Sequence, residues 1–178
     1  MANTWFPIST SAILPPLASI RILVVDDFQA FRAFVSSVFS KAPELQIICE
    51  VSDGLEAVKR AEELRPDLIL LDIGLPKLNG IEAARQIRKL APNSKILFLS
   101  QESSADVIQE ALSLGAMGYV VKAHAGSELL AAVEAVLQGR QFVSNELSGR
   151  DFTSAADAPA LDCHGDKEVA ASVTPTLR

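Results

Sequence analysis

The chain has 178 residues, 49% of them apolar and 21% charged, with a formal net charge of −6. That length holds one domain of ordinary size plus tails, and that composition can bury a core, which excludes two full-sized domains and broad disorder. The negative balance argues against a surface built to neutralise phosphates in bulk, and no apolar run is long enough to span a bilayer.

Met1 to Ser19 carries no basic residue and is broken by Pro7, Pro15 and Pro16, unlike the basic start and unbroken apolar core of a secretory leader. We read residues 1–19 as an N-terminal extension. Cys49 and Cys163 are too few and too separated for a disulfide framework, which suggests incidental thiols in a reducing compartment and a cytoplasmic location.

Ile20 to Val25 is a β-branched run that stops at Asp26-Asp27, and Phe28, Phe31, Val35, Val38 and Phe39 then recur at helical spacing. Leu45 to Val51 reads as a second strand, Asp53-Gly54 as a turn, and Glu56 to Leu64 as a short amphipathic helix ending before Pro66. The run from Leu68 to Leu71 is apolar throughout, the mark of a strand buried on both faces, and it ends at Asp72. Leu75-Pro76 and Asn79-Gly80 turn the chain toward a helix carrying Ile81, Ala84, Ile87 and Leu90. A fourth strand, Lys95 to Leu99, ends at Ser100. A helix through Val107 to Leu114 stops at Gly115, and a fifth strand, Gly118 to Val121, ends at Lys122. Leu129 to Leu137 makes a last helix, stopped by Gly139.

Strict alternation of five strands and five helices predicts a doubly wound five-stranded parallel sheet, because right-handed crossovers place helices on both faces. We assign this domain to residues 20–143. From 144 to 178 apolar residues become sparse, and we expect a largely disordered acidic tail.

In such a sheet the carboxyl ends of the strands lie side by side across one crevice, so Asp26, Asp27, Asp72, Ser100 and Lys122 converge. Three carboxylates in one pocket repel unless a cation joins them, and an oxygen-only set suits Mg²⁺. Adding an ammonium and a hydroxyl makes the site complementary to a phosphoryl group, with Asp72 as the nucleophile that takes it as an acyl phosphate.

Asp26-Asp27, Asp72-x-x-x-Pro76-x-x-x-Gly80, Ser100 and Lys122, each after its own strand, resemble the receiver domain of bacterial two-component response regulators, a flavodoxin-like (βα)5 fold. The runs Gly115 to Lys122 and Gly126 to Ala132 are similar to the NarL/FixJ-type subfamily. The resemblance implies a phosphoprotein, not an enzyme acting on a separate substrate. Asp72 would take its phosphoryl group from a sensor histidine kinase or phosphotransfer protein. Mg²⁺ would be held by Asp26, Asp27, Asp72 and the Gly74 backbone carbonyl. Ser100 and Lys122 would then bind the phosphoryl group, Tyr119 would rotate inward, and the surface of helix four, strand five and helix five would contact an output protein. Slow autodephosphorylation would reset the cycle. The apolar faces of the first and last helices are core first, with homodimer contact secondary.

Several positions depart from the common pattern. Gln101 puts a longer side chain after the switch hydroxyl, which narrows access, and Ala123 stands where many receivers have proline. Residues 145–178 carry Arg150, Lys167 and Arg178 against six acidic residues and show no recognition-helix periodicity, so direct nucleic-acid contact is not expected; nor is a membrane. The alternative is a truncated NarL/FixJ-type DNA-binding regulator. A haloacid-dehalogenase-type hydrolase fits poorly, because its Asp-x-Asp spacing is absent. His124 reads as a solvent-facing loop residue, and the Cys163-His164 pair is too small a set for zinc.

Overall fold

The computed structural model describes residues 19–145; the extension through residue 18 and the tail from residue 146, with Cys163 and His164, lie outside the described residues. Strands β1 (Ile20–Val25), β2 (Leu45–Val51), β3 (Leu68–Leu71), β4 (Lys95–Ser100), β5 (Gly118–Val121) and β6 (Phe142–Val143) form one sheet in the order β2-β1-β3-β4-β5-β6, parallel throughout. Helices α1 (Gln29–Phe39), α2 (Gly54–Leu64), α3 (Gly80–Leu90), α4 (Ala105–Ser113) and α5 (Ala125–Leu137) connect them, with a 3-10 turn at Lys122–His124 before α5. The alternation read from the sequence is thus present, and β6 adds a two-residue edge strand beside β5.

Strand periodicity divides the core. Leu23, Val25, Ile69, Leu71, Ile96, Phe98, Tyr119 and Val121 pack with Ala57 and Ala61 of α2, Ile87 of α3 and Ile108 of α4. Their chain neighbours Ile22, Val24, Leu68, Leu70, Leu97, Leu99 and Val120 pack with Val35 and Phe39 of α1 and Leu129, Val133 and Val136 of α5. Successive side chains of a strand point to opposite faces, so runs apolar at every position are what a sheet covered on both sides requires.

Two segments read as turns begin helices. The Asp53 carboxylate accepts from Glu56 N at 2.9 Å, and the Asn79 amide oxygen accepts from Glu82 N at 2.9 Å. Each is an N-cap that satisfies a backbone donor left over by the first turn of its helix, with a glutamate three residues on. At the other end of α5, the Lys95 ammonium donates to the carbonyls of Val136 (3.0 Å) and Leu137 (2.6 Å), placing a cation at the negative pole of the helix.

The β3–α3 connection is shaped by close approach. A Cβ on Gly80 would overlap the Asp72 carbonyl oxygen and lie 2.8 Å from Ile73 Cα, so only glycine lets α3 start against the strand that carries Asp72. Lys77 occupies the left-handed region (φ 63°) in this loop, and its ammonium reaches the Asp53 carboxylate at 2.8 Å. His124 is half-buried in the 3-10 turn, its Nδ1 shielded from solvent, not solvent-facing as the sequence suggested.

Gly80→Ala is expected to lower unfolding free energy by about 3 kcal/mol, read as a fall in the urea midpoint. Gly126→Ala, where an added methyl group meets nothing within 4 Å, is the control and is expected to raise it by up to about 1 kcal/mol. Equal effects at the two positions would contradict this account of the loop.

Candidate functional site

Register places the chemistry. Val25 pairs with Leu71 across β1 and β3, so the next residues, Asp26 and Asp72, leave the sheet side by side. Ser100 pairs with Val121 across β4 and β5, which sets Lys122 one step beyond. Asp26 and Asp72 each stand one residue beyond a strand position that faces the α2–α4 side, and Lys122, at the start of the 3-10 turn, lies over Phe31 of α1, whereas Tyr119 packs on the α2–α4 side. The ionic groups and the hydroxyls are therefore sorted onto two sides of one crevice.

Lys122 Nζ lies 2.8 Å from Asp26 Oδ2 and 2.9 Å from Asp72 Oδ2, with side-chain exposures of 10%, 2% and 7% respectively. The other carboxylate oxygens are held by backbone: Phe28 N donates to Asp26 Oδ1 at 2.9 Å, and Ile73 N to Asp72 Oδ1 at 2.8 Å. Arg32 of α1 fixes Asp26 from behind, donating from Nη1 to its carbonyl oxygen at 2.6 Å while Nε pairs with Glu50 at 3.2 Å. Burial pushes the Asp26 carboxyl above the usual range, and the bonds from Lys122 and Phe28 N only partly offset it. Burial alone would lower the Lys122 ammonium, yet the two carboxylates together hold it above its ordinary value.

Asp27 stands exposed at the rim, and oxygens of Asp26, Asp27 and Asp72 all lie within 4.8 Å of one another. Three carboxylates against one ammonium leave the cluster anionic. Asp26 Oδ2 is buried, and the partner recorded for it is the Lys122 ammonium at 2.8 Å. A hard divalent cation such as Mg²⁺ fits this donor set, since it binds through one or two carboxylates and retains water at the open side. Gly74 is exposed beside the site, and a Cβ there would stand 3.8 Å from Asp72 Oδ2.

On the other face, Ser100 Oγ accepts from Glu102 N at 3.2 Å and the Tyr119 hydroxyl donates to Glu102 O at 2.8 Å. Both groups thus grip one residue of the β4–α4 loop, while the Gln101 side chain is exposed. Tyr119 is fully buried, its ring tilted against Phe98 with centroids 6.3 Å apart. Tyr119, expected to rotate inward on phosphoryl transfer, is already inside in this structure, its hydroxyl on the Glu102 carbonyl. No described peptide bond is cis, so Ala123 follows Lys122 through a trans bond.

Sequence reasoning brought Asp26, Asp27, Asp72 and Lys122 together correctly but missed what supports them. Phe31, read as a core position, places its ring centroid 4.9 Å from Lys122 Nζ. Ser144, assigned to the tail, is fully buried: its hydroxyl accepts from Val121 N at 3.0 Å and donates to the buried Glu128 carboxylate. Strand parity could have signalled Phe31, because it puts Lys122 on the α1 side; nothing local marks Ser144.

Burial pushes the Tyr119 phenol from 10.0 up to about 12; the Ser100 hydroxyl opposes this, and the Glu102 and Asp72 carboxylates add to it. For an acid whose folded value is raised, the stability contribution is complete below the unfolded value and is lost as pH rises through the folded one. The chain has a single tyrosine, so tyrosinate absorbance reads this group alone. The folded chain is expected to resist ionisation until near pH 12 and to lose stability between pH 10 and 12, whereas urea-unfolded chain ionises near pH 10. Ionisation near 10 in the folded state would show an exposed ring.

Comparison with known proteins identifies the family. The pattern of the response regulator receiver domain matches residues 22–134. The transcriptional regulatory protein DegU of Brevibacillus brevis is 36% identical over 124 residues, covering 70% of this chain and 52% of that protein. The chemotaxis protein CheY of Thermotoga maritima is 34% identical over 116 residues, covering 65% of this chain and 96% of that protein. Among solved structures, a LuxR-family two-component response regulator from Aurantimonas sp. SI85-9A1 superposes with a TM-score of 0.70 at 32% identity, covering 74% of this chain and 94% of that one. The chain thus spans about half the length of DegU and nearly all of CheY. Over its β1-to-α5 core, this chain belongs to the response regulator receiver domain family.

Proposed function

We propose that Asp72 accepts a phosphoryl group from the phosphohistidine of a sensor kinase or phosphotransfer protein, and that the new charge is passed on by protein contact through the α4, β5 and α5 surface. The observation that carries this reading is the Lys122 ammonium bridging two buried carboxylates beside a third.

An Asp72 carboxylate oxygen attacks phosphorus, forming an O–P bond as the P–N bond to imidazole breaks; the departing imidazole keeps the electron pair and takes up a proton. Lys122, 2.9 Å from Asp72 Oδ2, would pair with the oxygens that arrive. Asp26, Asp27, Asp72 and the Gly74 carbonyl are the groups that would hold Mg²⁺, which when bound supplies the divalent charge that offsets the carboxylates and the phosphoryl oxygens. Ser100 would leave Glu102 N to donate to the phosphoryl group, and Tyr119, through its bond to Glu102 O, would carry that loop movement to the α4 side. Autophosphorylation from a small donor and slow loss of the phosphoryl group are reactions of Asp72 itself, so the chain is a signalling protein in this reading. Nucleic acid and membrane have no direct part in it, and its setting is the cytoplasm, where such kinases present their phosphohistidines. The match to about half of DegU supports a second reading, the receiver portion of a DNA-binding regulator.

Intact mass after incubation with acetyl phosphate is expected to show one added phosphoryl group that requires Mg²⁺ and is absent from Asp72→Asn. An adduct surviving in Asp72→Asn would move the acceptor elsewhere, and no adduct from either acetyl phosphate or a phosphohistidine donor would sink the reading.

A further inference from the structure

Lys122 is held from three sides, and only two of them are carboxylates. The third is the ring of Phe31, in the first turn of α1, its centroid 4.9 Å from Nζ. That ring is itself half-buried and braced by Phe34, whose centroid lies 5.6 Å away at a tilt of 38°. The face of an aromatic ring carries partial negative charge and attracts a cation, more strongly where water is excluded. Lys122 meets that condition, with its side chain 10% exposed.

The ring differs from the carboxylates in one respect that bears on function. Asp26 and Asp72 are the groups a divalent cation would engage, so each interaction the ammonium makes with them competes with that cation. The ring competes with nothing. A lysine side chain has four carbons and many rotamers, and once a cation draws on the carboxylates an ammonium without another partner is free to swing toward water. An aromatic face on the α1 side keeps it in the crevice without taking a ligand from the metal.

We propose that Phe31 is a positioning residue for phosphoryl acceptance: its ring face holds the Lys122 ammonium beside Asp72 while the carboxylates engage a divalent cation. The inference rests on the reading of Asp72 as the acceptor. Leu at this position would retain apolar contact with Phe34 and lose the face; Tyr or Trp would keep a face, with Trp the stronger.

The test uses the full chain and two readouts. In proton NMR, the ε-methylene protons of Lys122 lie over the ring and are expected upfield of an ordinary lysine, both without and with saturating Mg²⁺. Phe31→Leu is expected to return them to the ordinary position and to slow Asp72 phosphorylation by acetyl phosphate roughly fivefold at saturating Mg²⁺. Phe31→Tyr and Phe31→Trp are expected to restore both the shift and the rate, a rescue that a purely volumetric role would not produce in step with the shift. Circular dichroism and the urea midpoint of each variant separate loss of fold from loss of contact, and the ring-bearing variants keep the question decidable if the Leu variant unfolds. Ordinary Lys122 shifts in the native chain with Mg²⁺ would overturn the proposal, as would a native rate in folded Phe31→Leu or failure of both ring-bearing variants to rescue. Upfield shifts in a native chain that takes no phosphoryl group from either donor would locate the failure in the acceptor reading, and the functional meaning of the contact would fall with it.

Discussion

The contact of Lys122 with Asp26 and Asp72 is the constraint on which the rest of the site depends. Two carboxylates exposed at 2% and 7% stand on adjacent parallel strands, where register forces them together. Without a shared counter-charge each would bear both its own desolvation and the other's repulsion. One ammonium at 2.8 and 2.9 Å relieves both: the two carboxylates favour the proton on lysine, while burial pushes the Asp26 carboxyl up. Such an arrangement is stable enough to fold and unsatisfied enough to take more positive charge. That is the chemical condition for a cation site that also receives an anionic group.

The surrounding architecture serves this arrangement by sorting side chains. Strand parity turns the ionic groups toward α1 and α5, where Phe31 and Arg32 meet them, and turns Ser100 and Tyr119 toward the α4 side, where both hold Glu102. The ionic cluster and the hydroxyls that hold Glu102 thus stand at the same edge of the sheet. Gly80 lets α3 begin against the Asp72 backbone. Below β5, the chain of hydrogen bonds from Val121 through Ser144 to Glu128 ties the exit of the domain to the residue preceding Lys122.

Much of this was legible because it is carried by periodicity. Apolar runs covered on both faces, each ended by a polar residue, suffice to place Asp26, Asp27, Asp72, Ser100 and Lys122 at one edge. The family resemblance supplied their roles, which their spacing alone does not contain. What escaped has identifiable causes. Asp53 and Asn79 share the composition of turn residues, and their capping role appears only in the glutamate three positions on. Ser144 lies beyond the last helix among residues that read as tail, and its burial is decided by Glu128, sixteen positions away. Tyr119 stands inside with its hydroxyl on the Glu102 carbonyl of a neighbouring loop, a long-range contact that no local pattern announces.

The central claim is that Lys122 holds an otherwise repulsive carboxylate cluster together and that a divalent cation can share that task. Urea unfolding of Lys122→Met with and without saturating Mg²⁺ tests it most directly. The account predicts a loss of about 3 kcal/mol without the metal, from uncompensated buried charge, and recovery of most of that loss with Mg²⁺, the metal stabilising the variant more than the native chain. A loss that Mg²⁺ leaves unchanged, or no loss at all, would contradict it.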